Sequence, residues 1–177
     1  FKSWGGMRVN DVGSYNGNYY YVGADGAVST TTGWKKIKTS TQTIWYWATA
    51  DGGKLLTSSW LDYNGNSYYL KADGKMAFNE WLDNTYYFRS WGAAYKNAWA
   101  KVNNVWYYFN QSGYMTENQW VMNNNQWYYC GVSGALVKSQ WVQTNGAWYY
   151  CGADGAMLTS QMIGGQYYVD KNGVWVQ

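Results

Sequence analysis

The sequence predicts an all-β fold, a β-solenoid of stacked β-hairpins, on three observations. A block of about twenty-one residues recurs, opening on Trp and later reaching Trp-Tyr-Tyr: WAKVNNVWYYFNQSGYMTENQ from Trp99, WVMNNNQWYYCGVSGALVKSQ from Trp120 and WVQTNGAWYYCGADGAMLTSQ from Trp141. Polar pairs such as Asn16-Gly17, Asn64-Gly65 and Asn145-Gly146 separate alternating segments, and Asn and Gly accept the positive φ angles of a tight hairpin turn. Fourteen Trp and twenty Tyr stand beside seven Leu and three Ile, so an ordinary aliphatic core is not available.

The elements follow in order. Residues 1–11 form a partial repeat: FKSWGGMRVNDV from Phe1 aligns with FRSWGAAYKNAW from Phe88, just past the Tyr-Tyr position, so a fragment of a longer protein is expected. Eight copies come next, at 12–33, 34–59, 60–80, 81–98, 99–119, 120–140, 141–161 and 162–177. Their starts are mostly 21 residues apart, with 18 after Trp81, 26 after Trp34 and 22 after Val12, so length varies at the turns. Each copy reads as one hairpin followed by a second turn, marked by Ala-Asp-Gly at 24–26, 72–74 and 153–155. A lone hairpin is marginal in water, so the hairpins must bury their faces on one another. The end copies open on Val12 and Met162 instead of Trp, as suits repeats with one uncovered side.

Composition excludes several function classes. Charged residues make up 13% of the chain and the net charge is +3, without the concentrated basic face of a nucleic-acid binder. Lys35, Lys36 and Lys38 form the one local cluster and read as a solvated strand face. No apolar run approaches the ~18 residues of a transmembrane span. With no His, only Glu80 and Glu117 as glutamates, and Asp25, Asp51, Asp73 and Asp154 beside turn glycines, paired acid/base machinery has no candidates and no cofactor or metal is expected. Cys130 and Cys151 share the repeat position of Val22, Leu70, Phe88, Phe109 and Val169, which suggests buried free thiols.

Side chains alternate across a strand, so in Trp127-Tyr128-Tyr129 the first and third rings share one face and the middle ring takes the other. One aromatic face can serve the stack while the other lines a groove. The pattern equally fits rings packed wholly within the stack.

The motif W-x(6)-W-Y-Y-x(4)-G-x-M resembles the choline-binding repeats of cell-wall hydrolases and surface proteins from pneumococci, their phages and related Gram-positive bacteria. It is sharpest at Trp99, Trp106, Tyr107 and Tyr108; at Trp120, Trp127, Tyr128 and Tyr129; and at Trp141, Trp148, Tyr149 and Tyr150. The resemblance implies a left-handed solenoid in which choline lies between hairpins, held by two Trp of one repeat and a Tyr, often with a Met, of the next. A quaternary ammonium has no N–H to donate, so the faces of electron-rich rings suit it better than a hydrogen-bonding carboxylate.

Carried across residue by residue, the resemblance implies four cages: Trp34, Trp45 and Tyr69 with Met76; Trp99, Trp106 and Tyr129 with Leu136; Trp120, Trp127 and Tyr150 with Met157; and Trp141, Trp148 and Tyr168 with Trp175. The first requires four extra residues to be absorbed between Trp34 and Trp45. No cage is expected where Ser67 or Thr85 replaces the second Trp, or where Val12 and Tyr19 replace both. Trp4 and Trp91 fall outside the cage positions and read as packing residues, with patching a groove as the alternative. Met76, Met115 and Met157 recur at one position, as core or as the floor of a cage.

The expected function is a non-catalytic, cell-wall-targeting module that binds choline or phosphocholine of teichoic acid at the extracellular bacterial surface. A terminal hairpin is the candidate contact for a homodimer. The competing reading is a glucan- or oligosaccharide-binding repeat module of the glucansucrase or toxin type, with Asn123 to Asn125 and Gln126 reaching sugar hydroxyls. Paired Trp residues favour the first, because they enclose a small cation more readily than they form an open platform.

Overall fold

The structure, a computed structural model, describes residues 6–176 and is all-β across them. Phe1 and Trp4 of the partial repeat lie outside the described residues. The strands are β1 (Asp11–Tyr15), β2 (Asn18–Val22), β3 (Gly33–Lys38), β4 (Thr43–Ala48), β5 (Ser59–Tyr63) and β6 (Asn66–Leu70). Then come β7 (Trp81–Leu82), β8 (Tyr86–Tyr87), β9 (Ala98–Val102), β10 (Val105–Phe109), β11 (Gln119–Asn123) and β12 (Gln126–Cys130). The last are β13 (Gln140–Thr144), β14 (Ala147–Cys151), β15 (Gln161–Ile163), β16 (Tyr167–Val169) and β17 (Trp175–Val176). Consecutive strands pair as hairpins, and among the described residues only β15–β16–β17 makes a three-stranded sheet.

The hairpins close where the local chemistry demands. Asn64 and Gly65 adopt φ of 49° and 74°, and Asn124 and Asn125 adopt 48° and 59°, the two successive left-handed residues of a primed turn. The longer copy from Trp34 places four of its five extra residues at the hairpin tip. Lys38 pairs with Thr43, and the Thr39 N–H donates to the Gln42 carbonyl at 2.9 Å. Trp34 therefore faces Trp47 across the ladder, as Trp99 faces Tyr108 in a regular copy.

The chain forms two compact units. One runs to Trp81 and includes Tyr87–Ala94; the other holds Leu82–Tyr86 and everything from Tyr95 onward. Within each, the segment after one hairpin is stitched to the hairpin before it. Met76 N–H donates to the Trp45 carbonyl at 2.8 Å in the first unit, and Leu136 N–H to Trp106 and Met157 N–H to Trp127 at 2.9 and 2.7 Å in the second. These bonds satisfy backbone groups that a two-stranded hairpin leaves open.

In each unit, one side chain per repeat is fully buried in the interior. Leu70 and Phe88 in the first unit, and Phe109, Cys130, Cys151 and Val169 in the second, are fully buried. Both cysteines are free, and burial pushes each thiol up to about 11. At the first hairpin Val12, Tyr19 and Tyr21 pack against a buried cluster of Tyr46, Ala48 and Leu55. Residues that replace tryptophans there are spent on the core.

Candidate ligand cavities

Each regular hairpin has two unlike faces, and its ladder decides which rings share one. In the β11–β12 hairpin Trp120 pairs with Tyr129 and Met122 with Trp127, while Val121 pairs with Tyr128. Directly opposed residues project to the same side, so both tryptophans and Tyr129 share a face and Tyr128 lies on the reverse. Tyr129 backs Trp120 edge-on at 5.0 Å. Tyr128 turns to the preceding hairpin and meets Trp99 at 5.5 Å.

The same division places other tyrosines than the expected ones beside the preceding tryptophans. Tyr69 stands against Trp60 of its own hairpin, Tyr129 against Trp120 and Tyr150 against Trp141, at 5.5, 5.0 and 5.2 Å. The rings that reach the preceding tryptophans are the middle ones. Tyr68 meets Trp34 at 5.1 Å, Tyr128 meets Trp99 at 5.5 Å, Tyr149 meets Trp120 at 5.3 Å and Tyr167, not Tyr168, meets Trp141 at 5.7 Å. The alternation within Trp-Tyr-Tyr already carried this information, because the third ring must share the face of its own Trp.

Four cavities result. In the first unit a cavity of about 410 Å³ is lined by Trp34, Trp45, Tyr68 and Met76, with Thr43, Phe78, Ser90 and Trp91 around it. In the second unit Trp99, Trp106, Tyr128 and Leu136 line about 310 Å³ with Asn123 and Asp154. Trp120, Trp127, Tyr149 and Met157 line about 230 Å³ with Asn172, and Trp141, Trp148, Tyr167 and Trp175 line about 380 Å³. The structure thus brings Met76, Leu136, Met157 and Trp175 beside the tryptophan pairs expected for them.

A third hairpin contributes as well. Trp91, Asp154 and Asn172 each precede a turn glycine two hairpins beyond the tryptophans whose cavity they border. Trp91 is therefore a cavity residue and not only a packing residue: it is 51% exposed and its ring lies 6.3 Å from Tyr68. The sequence marks Trp91 as a ring that could patch a groove, but it does not single out Asp154 or Asn172 for a cavity, because a turn residue preceding Gly carries no mark of what lies opposite it in space.

Copies lacking the second Trp are built differently. Ser67 is buried and its hydroxyl donates to the Asp62 carboxylate across the β5–β6 ladder, while Trp60 packs against Phe88 at 5.6 Å. The Thr85 hydroxyl donates to the Asp83 carbonyl at 2.9 Å within its turn. A cavity of about 440 Å³ flanks the first hairpin, lined by Met7, Arg8, Ser14, Tyr15 and Tyr20 among others, and none of its described lining residues is a tryptophan.

Formal charge near the four cavities is sparse and unevenly placed. Asp154 is the single carboxylate among their lining residues, and its Oδ1 accepts from the Ala156 N–H at 2.9 Å. At the first-unit cavity, Lys36 Nζ lies 5.6 Å from the Trp45 ring and the Arg89 guanidinium 6.0 Å from the Trp91 ring. Among the described residues no group of three or more His, Cys, Asp or Glu side chains is arranged to hold a metal, and no helix is long and apolar enough to cross a membrane.

Comparison with known proteins matches choline-binding repeats at residues 54–93 and 135–175, and again, as a second such family, at 96–141. Choline binding protein F from Streptococcus pneumoniae is 30% identical with a TM-score of 0.70, covering 96% of this chain and 58% of its own. The same relative, CbpF, has been solved in complex with ipratropium by soaking, with 30% identity, a TM-score of 0.70 and coverage of 96% and 60%. CbpJ from Streptococcus pneumoniae TIGR4 is 25% identical with a TM-score of 0.61, over 89% of this chain and 62% of its own. The chain thus spans about three-fifths of the length of these relatives. A comparison with curated protein sequences gives no match.

Proposed function

Because the chain belongs to the choline-binding repeat family, we propose that it is a non-catalytic targeting module whose aromatic cavities each take the trimethylammonium head of choline or phosphocholine on teichoic acid. One observation carries this reading: four separate cavities pair two tryptophans of one hairpin with a tyrosine reaching in from the next. The cage residues are then Trp34, Trp45, Tyr68 and Met76; Trp99, Trp106, Tyr128 and Leu136; Trp120, Trp127, Tyr149 and Met157; and Trp141, Trp148, Tyr167 and Trp175.

The chemistry supports that ligand over a metal ion or a strongly anionic group. Edge-on tryptophan and tyrosine rings surround each cavity with π faces and apolar edges, which attract a methylated cation and cover its methyl groups. One such site is weak, about 0.5–2 kcal/mol per well-placed ring. Several sites on one chain facing a repetitive polymer raise the effective concentration, so attachment grows with the number of cages engaged. Such a module acts at the outer bacterial surface, where the polymer lies.

Titration with choline chloride, followed by tryptophan fluorescence and by the indole N–H signals of labelled protein, tests the reading. Saturable shifts at Trp106, Trp127 and Trp148 that dextran does not compete away support it. Shifts produced by dextran and not by choline would replace it with glucan binding.

A further inference from the structure

The four cavities share their aromatic walls but not their rims, and at three of them a rim residue comes from the hairpin two steps downstream. Its placement follows from the stack. Leu136 lies over Gly155 and Met157 over Gly173, so each aliphatic side chain holds a downstream turn close, and the residue before that glycine stands at the cavity edge. Only the glycine is sterically dictated. The preceding residue is free to vary, and it does: Trp91, Asp154 and Asn172 occupy it at three cavities.

We propose that this rim position, together with the cations beside it, sets whether a cavity prefers a bare quaternary ammonium or one that carries a phosphate. The proposal rests on the cavities being quaternary-ammonium sites. At the Trp99–Trp106 cavity the Asp154 carboxylate adds a negative charge to the rim; it attracts a lone cation and repels the phosphate of phosphocholine. At the Trp34–Trp45 cavity the rim residue is uncharged, and Lys36 and Arg89 lie against the Trp45 and Trp91 rings. The Lys36 ammonium, 5.6 Å from the Trp45 ring, opposes a second bare cation and attracts an attached phosphate. The Trp120–Trp127 cavity has no charged residue in its lining, the nearest carboxylate to its Asn172 rim being Asp170, which accepts from the Asn172 side chain at 3.4 Å; it is the internal reference.

Asp154 and Lys36 are exposed, so the preference is modest and screened by salt. An exposed charge pair contributes enough for a preference of about two- to fivefold. The order is the informative part: choline over phosphocholine at Trp106, phosphocholine over choline at Trp45, and near parity at Trp127.

The test follows assigned indole N–H signals of the full chain during separate titrations with choline chloride and with phosphocholine at low salt. Asp154→Asn should bring the Trp106 cavity to parity and leave the Trp127 cavity unchanged; Lys36→Gln should lower the phosphocholine preference at Trp45. Loss of the Trp106 preference in about 1 M salt is also expected, because the Debye length is then only about 3 Å. If Trp106 responds to choline but Asp154→Asn leaves its preference unaltered, the rim proposal is overturned and the cavities stand as sites. If neither probe moves the Trp106, Trp127 or Trp45 signals, the proposed function fails and this inference fails with it.

Discussion

Leu136 rests on the backbone of Gly155: a β-carbon built at Gly155 would stand 2.8 Å from Leu136 Cδ2 and 2.9 Å from its Cγ. Gly155 also has φ of 93°, a conformation that L side chains rarely adopt. Leu136 lines the Trp99–Trp106 cavity and Asp154 borders it, so one close approach places two of its walls.

Replacing that glycine should therefore cost more than conformational strain alone. Gly146 has φ of 78° with no atom within 4 Å of a built β-carbon, so Gly146→Ala is expected to cost about 1–2 kcal/mol. Gly155→Ala adds overlap with Leu136 and should cost about 2–4 kcal/mol. Denaturant unfolding of both variants checks the difference; equal losses would mean that Leu136 simply swings aside.

Adjacent tyrosines should have separable effects. Tyr128→Leu removes a ring that meets Trp99 and should weaken choline binding at the Trp99–Trp106 cavity about 2- to 30-fold. Tyr129→Leu removes the ring behind Trp120 and should leave that cavity within about twofold, acting instead on the next one. Indole signals of Trp106 and Trp127 report the two cavities. The reverse outcome would restore Tyr129 as the third wall.

Trp91→Ala should weaken choline binding at the Trp34–Trp45 cavity while hardly changing stability. The ring is half exposed, so its removal should move the unfolding free energy by less than about 1 kcal/mol. Losing a wall should lower affinity about 2- to 30-fold there and leave the second unit's cavities unaffected. Unchanged binding at the Trp45 signal would make Trp91 a bystander.

The thiols should be silent in the native protein. Cys130 and Cys151 are fully buried and their thiols are pushed up to about 11 by burial, against an ordinary 9.0. Because the folded value is the higher one, the contribution to stability is complete below about pH 9 and is lost as the pH rises toward 11. A thiol reagent at pH 8 should label neither residue until the chain unfolds. A Cys130→Val, Cys151→Val variant should lose stability less steeply than the parent between pH 9 and 11; identical slopes would contradict the assignment.

Much of this architecture is local, and local features are legible in a sequence. Asn64-Gly65 and Asn145-Gly146 specify primed turns through their own backbone preferences, and the ladder from Trp141 to Tyr150 follows once the turn is set. The two tryptophans of each cavity share one hairpin face, so their spacing announces them. Even the tyrosine that meets the preceding hairpin is implicit: alternation puts Tyr149 on the face opposite Trp148, where it meets Trp120, while the Tyr150 implied by the family resemblance stands against Trp141.

Other walls depend on approach between distant segments. Trp91 reaches the Trp34–Trp45 cavity from 46 positions beyond Trp45, and Asp154 borders a cavity whose last tryptophan is Trp106. Asp154 does not differ from an ordinary turn residue, since Asp25 and Asp73 occupy equivalent Ala-Asp-Gly turns, and the Trp91 ring stands out without announcing which pair of tryptophans it meets. Repeat period, turn type and the identity of the rings are properties of short stretches of chain, governed by φ preferences and by side-chain alternation. Which rim meets which pair of rings is settled only when Leu136 or Met157 settles onto a downstream glycine, because van der Waals contact acts through space and leaves no mark along the chain.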